Sequence, residues 1–409
     1  MDNRPRPGAI CFRKSDPGTS LLLVELNGSR SVAVRRHQQP EFFQVDAAEL
    51  TATGEDPAPL KVLQLRWRTQ QASLKVAPGK PIRTAMVLCA GLGTRLRPLT
   101  NVYPKPALPF FSGPLIRYSF ALLKGAGVER VVINTHHLPK VMEETAAREA
   151  RSLGLELRVS HEPVIQGTGG GVRDARQLLG DEPFILLNGD AFMSLDLRVL
   201  LGAHQSRGDA ATMAAVPMPP DEKFAAVEAT PEGDVKRIGK TGEDAPGVQP
   251  WHFVGAHVIE PAIFDFIPPK DEQDINRTVY LAMIRAGLKV RVCPVALGAW
   301  ADLGTPGRYL TACAEVLTGL CDLEPLGDAG PIARDELRQL LLGQRRRFWA
   351  HPSATVEQSP EEGWAVVCEG AEVRDTLLRR IAVLPGTRLA GEKLLQDAIV
   401  SGELRLRAQ

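Results

Sequence analysis

The spacing of apolar positions changes near residue 80, and the change separates two regions that we predict to fold differently. Before it, short apolar runs such as Ser20–Glu25, Ser31–Val34 and Leu60–Trp67 alternate with turn residues and show no helical period. Runs of this length, bounded by turn residues, are typical of β-strands. We therefore predict a small β-rich domain of unknown role over residues 1–80.

Between residues 83 and 319, apolar runs of strand length alternate with segments of helical period. The predicted strands are Ala85–Leu88, Arg130–Asn134, Leu155–Ser160, Pro183–Asn188, Ala225–Glu228, Val235–Ile238, Phe253–Ile259 and Lys289–Val295. The predicted helices begin at Pro114, Lys140, Gly170, Ile263, Val279 and Thr305. This alternation favours an α/β fold with a doubly wound, mostly parallel, Rossmann-like sheet, in which ligands bind beyond the carboxyl ends of the strands.

The last part of the chain, residues 331–409, contains an internal repeat. The strings HPSATV at residue 351, CEGAEV at 368 and LPGTRL at 384 begin 17 and then 16 residues apart, and a helix is predicted before them at 334–343. Such a spacing fits one coil of a three-sided left-handed β-helix. We expect this β-helix-like tail to pack against the catalytic domain or to form a homo-oligomer with a second copy of the chain; an irregular β tail is the alternative.

Composition narrows the classes of partner. Lys and Arg number 49 against 48 Asp and Glu, a net charge of +1, so the overall balance does not favour nucleic acid or an anionic membrane. No apolar run approaches the ~18 residues of a membrane helix, and the N-terminus lacks an apolar signal core. The six cysteines have no metal-ligand or CxxC spacing. We expect a cytoplasmic protein that binds neither nucleic acid nor membrane.

The most informative stretch is Thr84–Pro109, TAMVLCAGLGTRLRPLTNVYPKPALP. A short apolar strand leads into a loop in which Gly91 and Gly93 let backbone N–H groups approach an anion, while Thr94, Arg95 and Lys105 add donors and positive charge. The stretch lacks both the Gly-Lys-Ser/Thr of a Walker loop and the third glycine of a dinucleotide loop. It predicts a polyphosphate site of another kind.

The string GLGTRLRPLT followed by PKP resembles the signature of the sugar-1-phosphate nucleotidyltransferases, or NDP-sugar pyrophosphorylases, and the resemblance covers about residues 83–319. It implies transfer of a nucleotidyl group from an NTP to a sugar 1-phosphate, giving an NDP-sugar and pyrophosphate, with Mg²⁺ as cofactor. We expect Arg95 to stabilise the leaving pyrophosphate and Lys105 to bind the α-phosphate or the acceptor phosphate.

Two aspartates are the candidate metal ligands. Asp190 directly follows an apolar strand in LLNGD, and Asp302 lies in GAWADLGTP. An acidic side chain at the carboxyl edge of a sheet, beside a phosphate loop, suits Mg²⁺ because this ion prefers hard oxygen ligands. Both motifs are similar to those of the family, in which two aspartates share the catalytic magnesium. Taken singly, each aspartate would more often be a helix cap or a turn residue, and only their occurrence together downstream of the phosphate loop favours a metal site.

A second glycine-rich string, HEPVIQGTGGGVRDA at residues 161–175, precedes a predicted helix. Its backbone can bind the edge of a nucleobase, and Glu162 can accept protons from one; guanine suits it because its N1 and N2 are donors. The string resembles the base-recognition loop of bacterial mannose-1-phosphate guanylyltransferase-like and uridylyltransferase-like members. The nucleotide contacts expected in all are Leu88, Ala90, Gly91, Gly93, Thr94, Glu162, Gly167, Thr168, Gly169, Asn188 and Gly189.

The resemblance therefore favours GTP and mannose 1-phosphate or a related hexose or heptose; uridylyl or thymidylyl transfer is the alternative. On the sugar side, Gly255 matches a family glycine whose backbone approaches the sugar, and Glu260 and Asn276 are candidate hydroxyl partners. Two other hypotheses stay open. One is a non-catalytic nucleotide-sugar-binding regulatory subunit, against which the metal pair argues. The other is a second activity in the N-terminal domain.

Overall fold

The computed structural model describes residues 6–27, 30–35, 41–55, 60–218, 225–242, 245–332, 347–357 and 363–408. Its α-helices are Leu60–Ala72 (α1), Leu115–Gly125 (α2), Pro139–Ser152 (α3), Gly167–Asp174 (α4), Arg176–Leu179 (α5), Leu197–Arg207 (α6), Tyr280–Arg285 (α7) and Pro306–Leu317 (α8). Within these ranges, no helix combines the length and the apolar character needed to cross a membrane.

The N-terminal region is an antiparallel five-stranded sheet in the order β4-β3-β2-β1-β5. Its strands are Ala9–Arg13 (β1), Asp16–Asn27 (β2), Arg30–Arg35 (β3), Phe43–Asp46 (β4) and Leu50–Glu55 (β5). The strands predicted around Ser20–Glu25 and Ser31–Val34 are confirmed.

The strand predicted at Leu60–Trp67 is wrong, because this segment begins helix α1. Its apolar residues satisfy two periods at once: Leu63, Leu65 and Trp67 alternate as in a strand, whereas Leu63 and Trp67 also lie four apart, on one face of a helix. In the fold, that face packs on the N-terminal sheet, where Leu63 joins Leu22 and Val34 in a buried cluster. Tertiary packing therefore selects the helical period.

The central sheet places the candidate site. Four strands run parallel in the order β10-β9-β6-β11, with bounds Thr84–Leu88 (β6), Arg130–Thr135 (β9), Glu156–His161 (β10) and Phe184–Asn188 (β11). Both faces are covered, since Ala85 and Val87 belong to one apolar cluster and Met86 to another. Continuous apolar runs are typical of such doubly covered parallel strands.

The rest of this sheet is mixed rather than parallel. Its other strands are Ala211–Pro217 (β13), Val227–Ala229 (β14), Val235–Ile238 (β15), Thr241–Gly242 (β16), Gln249–Ile259 (β17) and Val290–Pro294 (β18). Strand β17 is antiparallel to β11 and to β13, while β18 is parallel to β13. The doubly wound prediction therefore holds for the first half of the sheet, and the mostly parallel description does not extend to the second.

Two small ribbons complete the catalytic region. They pair Pro109–Phe110 (β7) with Gly113–Pro114 (β8), and Ala191–Ser194 (β12) with Ala299–Asp302 (β19). The sequence did not predict β12, α6 or β13, which follow one another directly after β11.

The C-terminal tail is a stack of parallel coils. One sheet contains Arg347–Ala350 (β20), Trp364–Val367 (β22), Leu378–Val383 (β24) and Leu395–Ser401 (β26), closed by the antiparallel Leu404–Arg407 (β27); the other contains Thr355–Val356 (β21), Glu372–Arg374 (β23) and Arg388–Ala390 (β25). Trp349 lies opposite Val366 and Ala365 opposite Ile381, steps of 17 and 16 residues that match the repeat.

The tail packs on the catalytic region, as expected. The ring centroids of Trp349 and Phe111 are 5.4 Å apart, and Ala382 and Ile399 share a buried cluster with Tyr309 of α8. The helix predicted at 334–343 lies outside the described residues.

Candidate active site

A cleft of about 520 Å³ opens at the carboxyl ends of β6, β9 and β11. The sequence predictions converge here. The predicted nucleotide-binding and catalytic residues that line the cleft are Leu88, Ala90, Gly91, Gly93, Thr94, Arg95, Lys105, Glu162, Gly167, Thr168, Asn188 and Asp190. The fold therefore brings the two glycine-rich strings and the first aspartate to one cavity.

The phosphate loop owes its shape to a few local contacts. Gly93 adopts φ +58°, in the left-handed region, and its carbonyl accepts a hydrogen bond from Thr100 Oγ1 at 2.9 Å. The next three residues form a single 3₁₀ turn that buries Leu96 and leaves the Arg95 side chain 61% exposed. The buried Leu96 side chain thus fixes the loop, while the Arg95 guanidinium remains accessible at the cleft.

Lys105 lies between the two predicted metal ligands. Its Nζ is 3.0 Å from Asp190 Oδ2 and 2.7 Å from Asp302 Oδ1, and its side chain is only 6% exposed. Strand pairing causes this convergence, because Ala191 of β12 lies opposite Asp302 of β19. Carboxylates separated by more than a hundred positions in the chain therefore face one cation.

The electrostatics of Asp302 are dominated by its cationic neighbours. Burial alone would raise the pKa of Asp302, but Lys105, Arg95 and Arg308 together hold this pKa below its ordinary value. Arg95 Nη2 is 3.4 Å and Arg308 Nη1 is 3.1 Å from Asp302 Oδ2. The carboxylate is therefore kept ionised.

Two residues of this cluster were missed by sequence reasoning. Arg308 is the third residue of α8, two residues after the Pro306 that ends GAWADLGTP, and the basic side chain at that helix start was the available signal. Gly304 lines the cleft, and a Cβ there would lie 2.5 Å from Arg95 Nη2 and 2.8 Å from Asp302 Oδ1. A side chain at this position would therefore crowd the contact between Arg95 and Asp302.

Glu162 is held in place from two sides. Its Oε1 accepts a hydrogen bond from Asn134 Nδ2 at 2.7 Å, and its Oε2 accepts one from the backbone N–H of Gln166 at 3.0 Å. Asn134 was also missed, although it ends the apolar run RVVIN at the sheet edge, the same kind of position that singled out Asp190. It lines the cleft together with Glu162.

Three further predicted glycines border the cleft without lining it. The Gly169 N–H donates to Gln273 O at 2.7 Å, so it is already engaged and does not supply the free base contact that the sequence suggested. The Gly189 N–H likewise donates to Leu88 O at 3.0 Å, next to the cleft. Gly255 adopts φ +95°, and a Cβ there would be 3.1 Å from that of Asn188, so its backbone supports a lining residue.

The structure places Glu260, a predicted sugar contact, away from the cleft. Ile259 pairs with Phe184, the first residue of β11, whereas the cleft adjoins Asn188, the last residue of that strand. Glu260 therefore lies at the opposite edge of the sheet, where its Oε1 is 3.1 Å from His204 Nε2.

Asn276 also lies outside the cleft lining. It belongs to the one-turn segment Ile275–Val279, which supports α4 through a hydrogen bond from Ile275 N to Thr168 Oγ1 at 2.9 Å. From the sequence alone, Glu260 and Asn276 could not be distinguished from residues that line the cleft.

Known nucleotidyl transferases are similar to this chain in sequence. The model of the nucleotidyl transferase family matches residues 84–319. A mannose-1-phosphate guanylyltransferase of Mycobacterium tuberculosis is 31% identical over 310 residues, which cover 75% of this chain and 78% of that protein. A mannose-1-phosphate guanylyltransferase catalytic subunit beta of Dictyostelium discoideum is 31% identical over 245 residues, 59% of this chain and 66% of its own length.

Among solved structures, UDP-glucose pyrophosphorylase complexed with UDP-glucose aligns with a TM-score of 0.47 at 23% identity, covering 56% of this chain and 97% of that one.

Proposed function

The chain belongs to the nucleotidyl transferase family, and from this premise we propose that it transfers a nucleotidyl group from a nucleoside triphosphate to a sugar 1-phosphate. A phosphate oxygen of the sugar attacks the α-phosphorus, the bond from that phosphorus to the bridging oxygen of the β-phosphate breaks, and pyrophosphate leaves with the bonding electrons. The products are an NDP-sugar and pyrophosphate. The attacking oxygen is already anionic, so no side chain has to remove a proton from it.

The observation that carries this proposal is the convergence of Lys105, Asp190 and Asp302 at the mouth of a glycine-rich cationic loop. Two polyanions must be brought together, so the site has to neutralise charge before reaction. In the proposed arrangement the backbone of Gly91 and Gly93 binds the triphosphate, Arg95 stabilises the leaving pyrophosphate, and Lys105 orients the α-phosphate or the acceptor phosphate.

We propose Mg²⁺ as the metal, held by Asp190 and Asp302. Their oxygens already share one cation, the Lys105 ammonium, at 3.0 and 2.7 Å, so the donor set fits a hard divalent ion. Within the described part of the chain, no group of three or more His, Cys, Asp and Glu side chains forms a metal cage. A two-carboxylate site of this kind is typical of Mg²⁺, which keeps water and substrate phosphates as its other ligands. When bound, the metal supplies charge neutralisation at the phosphates.

For the substrates, we propose GTP and mannose 1-phosphate. The names of the two relatives at 31% identity support this choice, and so does Glu162, a buried acceptor that suits the N1 and N2 donors of guanine. Uridylyl or thymidylyl transfer to another sugar 1-phosphate is the alternative. On the acceptor side, the support of Gly255 for Asn188 favours a sugar bound near the end of β11.

We further propose a β-rich domain over residues 1–80, a catalytic domain over 83–319 and a tail over 331–409 whose coils are left-handed. We also propose that the tail forms a homo-oligomer with a second copy of the chain. A cytoplasmic location is supported by six cysteines that are all free thiols and buried.

The experiment is a pyrophosphate-release assay with Mg²⁺, in which GTP, ATP, UTP, CTP and dTTP are each paired with mannose 1-phosphate, glucose 1-phosphate and other sugar 1-phosphates. Turnover that is highest with GTP and mannose 1-phosphate is the expected result. Turnover with another pair would keep nucleotidyl transfer and replace the substrates. Silence on every pair, with ligand binding retained, would instead favour a regulatory subunit.

A further inference from the structure

A buried amide, Asn134, joins the phosphate loop to the loop that carries Glu162. It lies at the carboxyl end of β9, is 3% exposed and lines the cleft. Its Oδ1 accepts a hydrogen bond from the backbone N–H of Cys89 at 2.7 Å, and its Nδ2 donates one to Glu162 Oε1 at 2.7 Å. Cys89 directly follows strand β6 and begins the phosphate loop.

The direction of these hydrogen bonds is fixed by the backbone. A main-chain N–H can only donate, so the Asn134 atom that faces Cys89 must be the oxygen. The nitrogen is then left to face Glu162, which must accept. The second carboxylate oxygen of Glu162 also accepts, from the N–H of Gln166 at 3.0 Å. Each carboxylate oxygen has a further lone pair, so Glu162 can present acceptors to the cleft but no donor.

Packing keeps this pair in one orientation. A Cβ at Gly171 would lie 2.8 Å from Asn134 Nδ2 and 2.8 Å from Glu162 Oε1, so the backbone of α4 covers both side chains. The carbonyl of Glu162 is also engaged, at 2.8 Å from His136 Nδ1. Glu162 is only 1% and Asn134 only 3% exposed, so both side chains are held by their neighbours.

We propose that Asn134 is a positioning residue for nucleobase selection, which holds Glu162 as an obligatory acceptor facing the base. The inference rests on the proposed nucleotidyl transfer and deepens it. The base class that fits has two neighbouring donors on its edge, as guanine has at N1 and N2, whereas the single ring N–H of uracil or thymine lies between two acceptors. Inosine, which lacks the 2-amino group, should lose part of this recognition.

The test uses the double variant N134D/E162Q of the full-length protein. It keeps every hydrogen bond of the pair: the carboxylate at position 134 accepts from Cys89 and from the new amide at 162, whose oxygen accepts from Gln166. The net charge also stays the same. Only the face shown to the base changes, because the amide at 162 now offers a donor. The matched control is Q71E/E144Q, which makes the same charge-neutral exchange at two exposed residues outside the cleft lining.

We expect the ratio of kcat/KM for GTP over UTP to fall by about 10- to 100-fold in the double variant, and the advantage of GTP over ITP to disappear. Q71E/E144Q should keep the ratios of the wild type. An unchanged GTP/UTP ratio in the double variant would overturn the proposal. So would an equal fall in kcat/KM for every NTP, which is the signature of a merely structural role.

The single variant N134D gives a second readout. It places two carboxylates side by side, and such a pair retains a proton to higher pH than one carboxyl group does. We therefore expect its ratio of kcat/KM for GTP over UTP to rise as the pH is lowered from 8 to 6, with no such change in the wild type. A pH-independent ratio in N134D counts against the proposal.

Wild-type preference for UTP over GTP would overturn the two-donor base class but leave nucleotidyl transfer intact. Complete inactivity of the wild type would overturn the proposed function itself.

Discussion

The side chain of Asp190 is half exposed just beyond the end of β11, whereas the side chain of its neighbour Lys105 is buried. Because an exposed carboxylate contributes little to folding, replacing Asp190 by asparagine should leave the fold intact and remove one negative charge from the proposed metal site. We expect D190N to lower kcat by at least ~10²-fold, with the thermal midpoint changed by less than about 2 °C.

D181N, at an exposed aspartate away from the cleft, is the control and should keep full activity. Retention of more than a tenth of the wild-type kcat by D190N would contradict the metal role.

For Lys105, in contrast to Asp190, we predict a loss of stability on substitution, because its ammonium group is buried between two carboxylates. In K105M, Asp302 keeps Arg95 and Arg308 but loses the cation nearest to it, so we expect a loss of about 1–3 kcal/mol of unfolding free energy at pH 7. The pKa of Asp302 is lowered in the folded protein, so its ion pairs stabilise the fold above the ordinary Asp pKa and lose this effect as the pH falls through the lowered value.

The difference between wild type and K105M should therefore be full at pH 7 and shrink below about pH 4. Urea unfolding at several pH values measures it, with K140M at an exposed lysine as the control. A difference that grows on acidification would contradict this account.

At the scale of elements, helix α8 carries both Arg308 of the site and, near its other end, the partly buried Glu315. Burial raises the pKa of Glu315 to about 7. Because the folded state then binds a proton that the unfolded state releases, this residue makes stability fall as the pH rises from about 4.5 to 7, and the penalty is complete above pH 7.

We expect E315Q to exceed the wild type in unfolding free energy by about 1–3 kcal/mol at pH 8 and to match it near pH 5. E324Q, at an exposed glutamate, should show no such crossover. Parallel stability curves for E315Q and the wild type would rule out the burial effect.

Elements also show what the sequence could predict and what it could not. Strand β6, its loop and the strand before Asp190 were predictable because an apolar run ending in a glycine or a polar residue has few other meanings in an α/β pattern. The antiparallel direction of β17 was not predictable, since pairing direction depends on distant contacts. The sequence therefore did not show that Glu260 lies at the opposite edge of the sheet from the cleft. Asn134 was missed because its role lies in two hydrogen bonds to distant residues.

At the scale of the whole molecule, the segment from residue 60 to residue 80 is more closely tied to the catalytic region than the predicted boundary suggests. Arg66 Nη1 donates to Leu320 O at 2.6 Å, and the Leu74 N–H donates to Pro294 O at 2.8 Å. Lys80 exchanges hydrogen bonds of 2.8 and 2.9 Å with the side chain of Gln205 on α6. Leu65, Leu74 and Val76 also pack against the main apolar cluster.

Two truncations therefore test separately what the five-stranded sheet and helix α1 contribute to stability. A chain beginning at residue 60 loses the five-stranded sheet and uncovers the face of α1 that carries Leu63, but it keeps these contacts, so we expect it to fold and retain turnover. A chain beginning at residue 81 also loses α1 and uncovers the apolar residues beneath it, and should unfold with at least ~3 kcal/mol less free energy or aggregate. Urea unfolding measures the stability of each truncation, and pyrophosphate release measures its turnover. Equal stability of the two truncations would mean that α1 belongs with the sheet, because its contacts with the catalytic region would then contribute nothing.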